Sequence, residues 1–252
     1  MSEPVARLLI EYDGTEFSGW ARQPGQRTVQ TELERALGVV LRRDAVTLTV
    51  AGRTDAGVHA DGQVAGYAGD PVRPESLNAL LPSDVAVLEC AAAPPGFDAR
   101  RDATSRAYRY RILHRRARGP HERRAALHWP HPLAVDDLRA CADLLVGTHD
   151  FTAFTPTETD HVRFTRDVLA ARWHDDGAGH LEFWIEADAF MRNMNRVLVG
   201  TMLEVGGGRR SVEDFAALLR GAPRAQAGPT APAHGLHLHG VGYDGAPVLP
   251  RR

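Results

Sequence analysis

The sequence predicts an α+β protein built from two halves, residues 1–96 and 97–252, each with its elements in the order β-α-β-β-α-β, the second with one added helix before its last strand. Three observations predict it. Apolar alternation at period two and apolar spacing near 3.6 follow one another in that order as far as Ala91. Ala92-Ala93-Pro94-Pro95-Gly96 then breaks both periods. Beyond it the same order sets in again, without a visible sequence repeat.

Residues 6–12 alternate as a strand, and Asp13-Gly14 closes it with turn chemistry. Residues 16–26 form a loop holding Phe17, Trp20 and Arg22. Such a mixture suits stacking on bases and bonding phosphates, and the two aromatics equally suit anchoring the loop in the core. Thr28 is placed to cap a helix that carries Val29, Leu33, Ala36, Leu37, Val40 and Leu41. Strands follow at 46–50 and 62–68, a short helix at 74–81 and a strand at 85–91, completing a ferredoxin-like unit. In the second half, 107–113 reads as a strand and 135–145 as a helix. Residues 168–173 and 181–187 make a hairpin around Asp175-Asp176-Gly177-Ala178-Gly179. A helix over 190–205 is closed by Gly206-Gly207-Gly208, a second runs over 211–220 with Ser211 as its cap, and 236–243 is the last strand.

The composition, 43% hydrophobic and 25% charged, is that of a globular chain and excludes a disordered or fibrous one. No apolar run reaches the length of a membrane span, and Met1-Ser-Glu-Pro does not begin a signal peptide, so the expected location is the cytoplasm, away from membranes. Cys90 and Cys141 have no ligand-spaced partner, which argues against a disulfide framework or a cysteine zinc site. The net charge of −2 argues against a nucleic-acid binder, but the charge is unevenly spread. Ten arginines lie between Arg100 and Arg124, against only Asp102 and Glu122. A block of this kind is the footprint of phosphate contacts or a solvated basic face.

The chemistry centres on Ala51-Gly52-Arg53-Thr54-Asp55-Ala56-Gly57-Val58-His59-Ala60. Two glycines bracket Arg53, Thr54 and Asp55, so the backbone can turn sharply there. If strand geometry continues through the stretch, Arg53 and Asp55 share a face, and the guanidinium keeps the carboxylate ionised. An ionised Asp suits a nucleophile; Thr-Asp-Ala-Gly also suits an ordinary turn. Further on, Tyr108 and Tyr110 alternate with Arg109 and Arg111. A tyrosine can stack on a base and carry a proton, and both tyrosines also fit a half-buried strand. Arg192, Arg196 and Gly200 fall on one face of the 190–205 helix, where an arginine among apolar neighbours calls for a carboxylate partner. The twelve histidines, notably His234, His237 and His239, fix no third metal ligand by spacing, so no metal site is expected.

Gly-Arg-Thr-Asp-Ala-Gly-Val-His resembles the signature of the tRNA pseudouridine synthase A family. Other blocks resemble that family in the same order: Tyr12-Asp13-Gly14, Phe97-Asp98-Ala99-Arg100, Tyr108-Arg109-Tyr110, the helix around Arg196, and Ala231-Pro232-Ala233-His234-Gly235-Leu236. Four positions depart from it. Arg101 stands where an aromatic residue is common and Ala107 where a larger one is, and Asn195-Arg196-Val197 replaces Val-Arg-Asn.

The resemblance implies two ferredoxin-like halves with antiparallel sheets joined around a central cleft. It implies isomerisation of uridines at positions 38, 39 and 40 of the tRNA anticodon arm, without cofactor or metal, by a homodimer. Asp55 would be the nucleophile, paired with Arg196. Arg53 would hold the flipped nucleotide, Tyr108 would pack on the uracil and help remove its C5 proton, and Leu236 would line the pocket. Arg22, Phe97, Arg100, Arg101, Arg106 and Arg163 would contact RNA, the last from a polar segment over 155–166 that also holds His161. A synthase for another RNA uses the same residues. A non-catalytic RNA-binding or chaperone protein has no need of Asp55, Tyr108 and Arg196 together, and a metal-dependent hydrolase would fail in chelator.

Overall fold

In a computed structural model, which describes residues 3–159 and 162–249, the chain has the expected α+β composition with mostly antiparallel strand pairing. The elements are β1 (Val5–Tyr12), α1 (Val29–Leu41), β2 (Thr49–Val50), β3 (His59–Ala68), α2 (Pro74–Asn78) and β4 (Val85–Ala92). They continue with β5 (Ala103–Leu113), β6 (Leu127–His128), α3 (Val135–Leu145), β7 (Gly147–Asp150), β8 (Thr165–Asp175) and β9 (His180–Ala187). The last are α4 (Met194–Gly206), α5 (Val212–Leu218) and β10 (Leu236–Tyr243). Two compact units result, one of residues 3–104 with 237–246, the other of 105–236 with 247–249. No described helix is long and apolar enough to cross a membrane.

In the first unit β1 lies antiparallel between β3 and β4, with Ile10 opposite Gln63 on one side and Val87 on the other. Ala6, Leu8, Ile10 and Tyr12 are buried, which is the alternation the sequence carries. α1 starts where Thr28 accepts from Thr31 N and ends on Arg42 in the left-handed region. Its Leu33 and Leu37 are fully buried, each worth about 1.5–3 kcal/mol of transfer free energy.

The strand predicted at 46–50 shrinks to Thr49–Val50 because Leu48 N donates to the Glu34 carboxylate instead of to a strand. The helix predicted at 74–81 stops at Asn78, whose side chain bonds both Val87 N and Val87 O. β10 runs parallel to β3, His237 opposite His59 and Leu238 opposite Ala60, so this unit is not purely antiparallel.

The unit also runs past the proline boundary at residue 96. Phe97, Ala99 and Ala103 pack in one apolar cluster with Leu9, Ala51, Val64, Val241 and Tyr243, which draws both 97–104 and the last strand into it.

In the second unit β5, β9, β8 and β7 pair antiparallel in that order, and β6 adds a short parallel contact to β5. α4 is buried nearly all round, as expected of a helix with apolar residues on every face. It begins at Met194, not at Phe190, because Asn193 takes a φ of +61° that no helix continues through. Arg192 therefore lies outside the helix. It is exposed, donates to Glu158 O at 2.9 Å, and does not share a helical face with Arg196. Ser211 caps α5 in a reciprocal capping box with Asp214.

Candidate active site

Asp55 sits on a loop that its own unit grips from several sides. Strand geometry does not persist beyond Val50, and within the unit no ion pair joins Arg53 to Asp55. Arg53 is exposed and Asp55 half-buried. The backbone around them is tied instead to residues 12–20. Trp20 N donates to Thr54 O at 3.0 Å, and Gly57 N to Phe17 O at 3.4 Å. Gly19, at a φ of +95°, leaves no room for a side chain, since a Cβ there would lie 2.9 Å from Thr54 O. Gly14 is closer still, its notional Cβ falling 2.0 Å from Val58 O. Phe17 and Trp20, 3% and 1% exposed, serve as anchors for this loop and not as free stacking platforms.

Beneath the loop lies a polar network that sequence reasoning missed. Gln63 Nε2 donates to Gly52 O at 2.7 Å and lies 3.4 Å from the Tyr12 hydroxyl, which in turn lies 2.8 Å from Thr54 Oγ1. Burial pushes the Tyr12 phenol up to about 12, so it stays protonated. Among the described residues of its unit the Asp55 carboxylate takes no hydrogen bond. The signal that could have exposed the network is Gln63 itself, the one long polar side chain in the predicted strand 62–68.

His59, closing the motif, is buried and stacks on His237 with ring centroids 4.6 Å apart. Its Nδ1 accepts from Gly14 N at 3.1 Å and lies 3.2 Å from Asp13 Oδ1, so a proton on that nitrogen trades one bond for the other. Asp61 faces His237 Nδ1 at 3.4 Å and His239 Nδ1 at 3.5 Å. Among the described residues no three His, Cys, Asp or Glu side chains are placed to hold a metal ion.

The other predicted catalytic and pocket residues, Tyr108, Arg196 and Leu236, fall in the second unit. Tyr108 and Tyr110 share a face of β5 and are buried, Tyr108 edge-on to Phe190 at 5.0 Å. Tyr110 donates to Pro232 O at 2.8 Å, and burial raises its phenol well above the ordinary range. Arg196, near the start of α4, donates from Nε to Ala231 O at 2.7 Å and from Nη1 to Asn193 Oδ1 at 2.9 Å. The unit thus brings Arg196 to the 231–236 stretch, whose Leu236 is 6% exposed.

The predicted RNA contacts divide. Arg100, Arg101 and Arg163 are exposed. Arg100 N and Arg101 N both donate to Asp98 Oδ1, a turn that displays the two side chains. Arg22 is exposed but its guanidinium is bonded to the buried Glu34 carboxylate. Phe97 is half-buried and packs on Tyr243 at 5.4 Å, and Arg106 is buried and donates to Asp188 O at 3.0 Å. His161 lies outside the described residues.

Comparison with known proteins converges on one family. A sequence profile described as tRNA pseudouridine synthase matches residues 8–98 and 141–244. The chain is similar to tRNA pseudouridine synthase A of Bacillus pumilus, 40% identical over 94% of this chain and 98% of the relative. It is 46% identical to the protein of that name from Frankia casuarinae, over 98% of this chain and 92% of the relative. The Bacillus subtilis protein of that name is 40% identical, again over 94% and 98%.

Proposed function

The chain belongs to the tRNA pseudouridine synthase family, and on that premise we propose that it isomerises uridine to pseudouridine at positions 38, 39 and 40 of the tRNA anticodon arm, with Asp55 as nucleophile. The observation that carries the reading is the Asp55 loop. Its backbone is fixed on both sides while the carboxylate stays uncommitted within its unit, which is how a nucleophile is held ready.

The target nucleotide is flipped out of its stem, and unpairing is offset by stacking on Tyr108 and by arginine–phosphate contacts. Arg100, Arg101 and Arg163 supply such contacts from exposed positions, with Arg22 held to Glu34. Arg53 keeps the nucleotide extruded. Asp55 adds to ribose C1′ or to the uracil ring, and the C1′–N1 bond breaks. The base then turns, C5 bonds to C1′, and the bond to Asp55 breaks, which returns the free carboxylate. A proton leaves C5 with the help of Tyr108 and one is gained at N1, so atoms and charge balance without any cofactor. Arg196, oriented by Ala231 and Asn193, pairs with Asp55, and Leu236 closes the uracil pocket. A homodimer, drawn from the family, two ferredoxin-like halves, drawn from the element order and the family, and a cytoplasmic location, drawn from the sequence, complete the proposal.

The test uses tRNA transcripts carrying tritium at uracil C5, incubated in EDTA with wild-type protein and with Asp55→Asn. Release by the wild type alone, mapped to positions 38–40, is the expected result. Binding without release replaces the reading by that of an RNA-binding protein. Release by both proteins removes Asp55 from the role.

A further inference from the structure

A glutamine and a tyrosine are buried side by side where nothing in the strand pattern asks for them. Gln63 is 0% exposed and Tyr12 4%, on the paired strands β3 and β1. Buried polar groups cost stability unless bonded, and apolar side chains of similar size would fill the same space. Apart from the local bond that the Gln63 side-chain oxygen accepts from Val64 N, the bonds that satisfy this pair lead to one place. Gln63 reaches Gly52 O, and Tyr12 reaches Thr54 Oγ1. The chain of donors has a consistent direction, the Gln63 amide giving to the Tyr12 oxygen and leaving the phenol proton for Thr54.

We infer that Tyr12 and Gln63 are positioning residues for the reaction, holding Asp55 in attack geometry through Thr54 and Gly52. The inference rests on the reading of Asp55 as nucleophile. Thr54 is the last residue before Asp55, is 7% exposed, and is fixed by both its carbonyl and its hydroxyl. Gly52 is fixed three residues before Asp55. With Val58 N bonded to Asp55 O at 3.1 Å, the peptides on either side of the carboxylate cannot drift independently. A displacement of about 1 Å in a reacting group is enough to lower a rate on the order of 10²-fold, so a network that removes fractions of that drift acts on the chemical step and leaves RNA contacts alone.

The experiment measures single-turnover pseudouridine formation and tRNA affinity for wild type, Tyr12→Phe, Thr54→Val, the double variant, Thr54→Ser and Gln63→Met, with Asp55→Asn as reference. Tyr12→Phe and Thr54→Val each slow the single turnover about tenfold with affinity within about twofold of wild type. The double variant is no slower than either single one, because both cut the same bond. Thr54→Ser, which keeps the hydroxyl, returns the rate, and Gln63→Met slows it. Should Tyr12→Phe not fold, Thr54→Val cuts the bond from the loop side. Wild-type rates in the single variants, or losses that multiply in the double, overturn the inference. If Asp55→Asn is itself active, the nucleophile reading fails instead, and the two failures are told apart.

Discussion

Arg196 and Ala231 hold each other twice. The guanidinium Nε donates to Ala231 O at 2.7 Å, and Ala231 N donates to Arg196 O at 3.0 Å. A lysine offers one point charge and cannot reproduce the planar fork that also reaches Asn193. Arg196→Lys should keep the fold yet lower the single-turnover rate on the order of 10²-fold, with tRNA affinity nearly unchanged. Rapid-quench kinetics beside a filter-binding assay checks both numbers; a rate near that of wild type sinks the assignment.

Gly235 lies against Tyr110, with a notional Cβ only 2.6 Å from Tyr110 Cζ and 3.0 Å from Arg111 O. The ring is held by its bond to Pro232 O and has nowhere to move. Gly235→Ala should cost about 1–3 kcal/mol and lower the melting temperature by several degrees. Differential scanning calorimetry reads this directly, and an unshifted melt refutes the packing argument.

Glu186 is fully buried in β9 and accepts from Ser105 Oγ at 2.5 Å, Val248 N at 2.9 Å and Leu249 N at 2.8 Å. All three partners donate, so the amide of Glu186→Gln turns an N–H toward a donor. The expected loss is about 1–3 kcal/mol, with early proteolysis after residue 246. Denaturant titration and limited proteolysis test the two parts separately.

His180 is the clearest pH sensor. Its Nε2 lies 3.1 Å from Glu122 and its Nδ1 2.8 Å from Asp176, and both carboxylates raise its pKa, Glu122 more. Only the imidazolium donates from both nitrogens. A raised folded pKa means the contribution is complete below the unfolded value near 6.5 and disappears as pH rises through the folded value. The gap in melting temperature between wild type and His180→Ala should therefore be widest in mild acid and close toward alkaline pH. A gap that widens with rising pH contradicts the pairing.

Burial pushes the Cys141 thiol up to about 12, and its side chain is wholly enclosed, whereas Cys90 is half-buried. The native protein should take up one equivalent of iodoacetamide, at Cys90, and two after denaturation. Peptide mass spectrometry locates the label.

How far the sequence could be read depended on whether a residue's environment is local. Thr28 and Ser211 were legible as caps because a cap is decided within four residues. The helix from Val135 to Leu145 and the strand from Leu236 to Tyr243 were legible from periodicity alone. Arg192 was misplaced because one positive φ at Asn193 moved the start of α4, and nothing in the apolar spacing records it. Arg106 looked like part of a basic surface because its burial depends on Asp188, eighty-two positions away. The motif around Asp55 stood out as a string, but what steadies it did not. Tyr12 and Gln63 find the loop only once β1 and β3 have paired.

The return of β10 to the first unit sets an order of events during synthesis. Residues 3–104 leave the ribosome early, but the strand that pairs with His59 and Ala60 follows only after residues 105–236. At about 5–20 residues per second that interval lasts roughly 7–26 s. Throughout it the start of β3, at His59 and Ala60, lacks its partner strand β10, and His59 waits without the ring it stacks on. A chain stalled in that window is a sticky fragment, and a newly made molecule becomes competent only once residues 237–246 have followed.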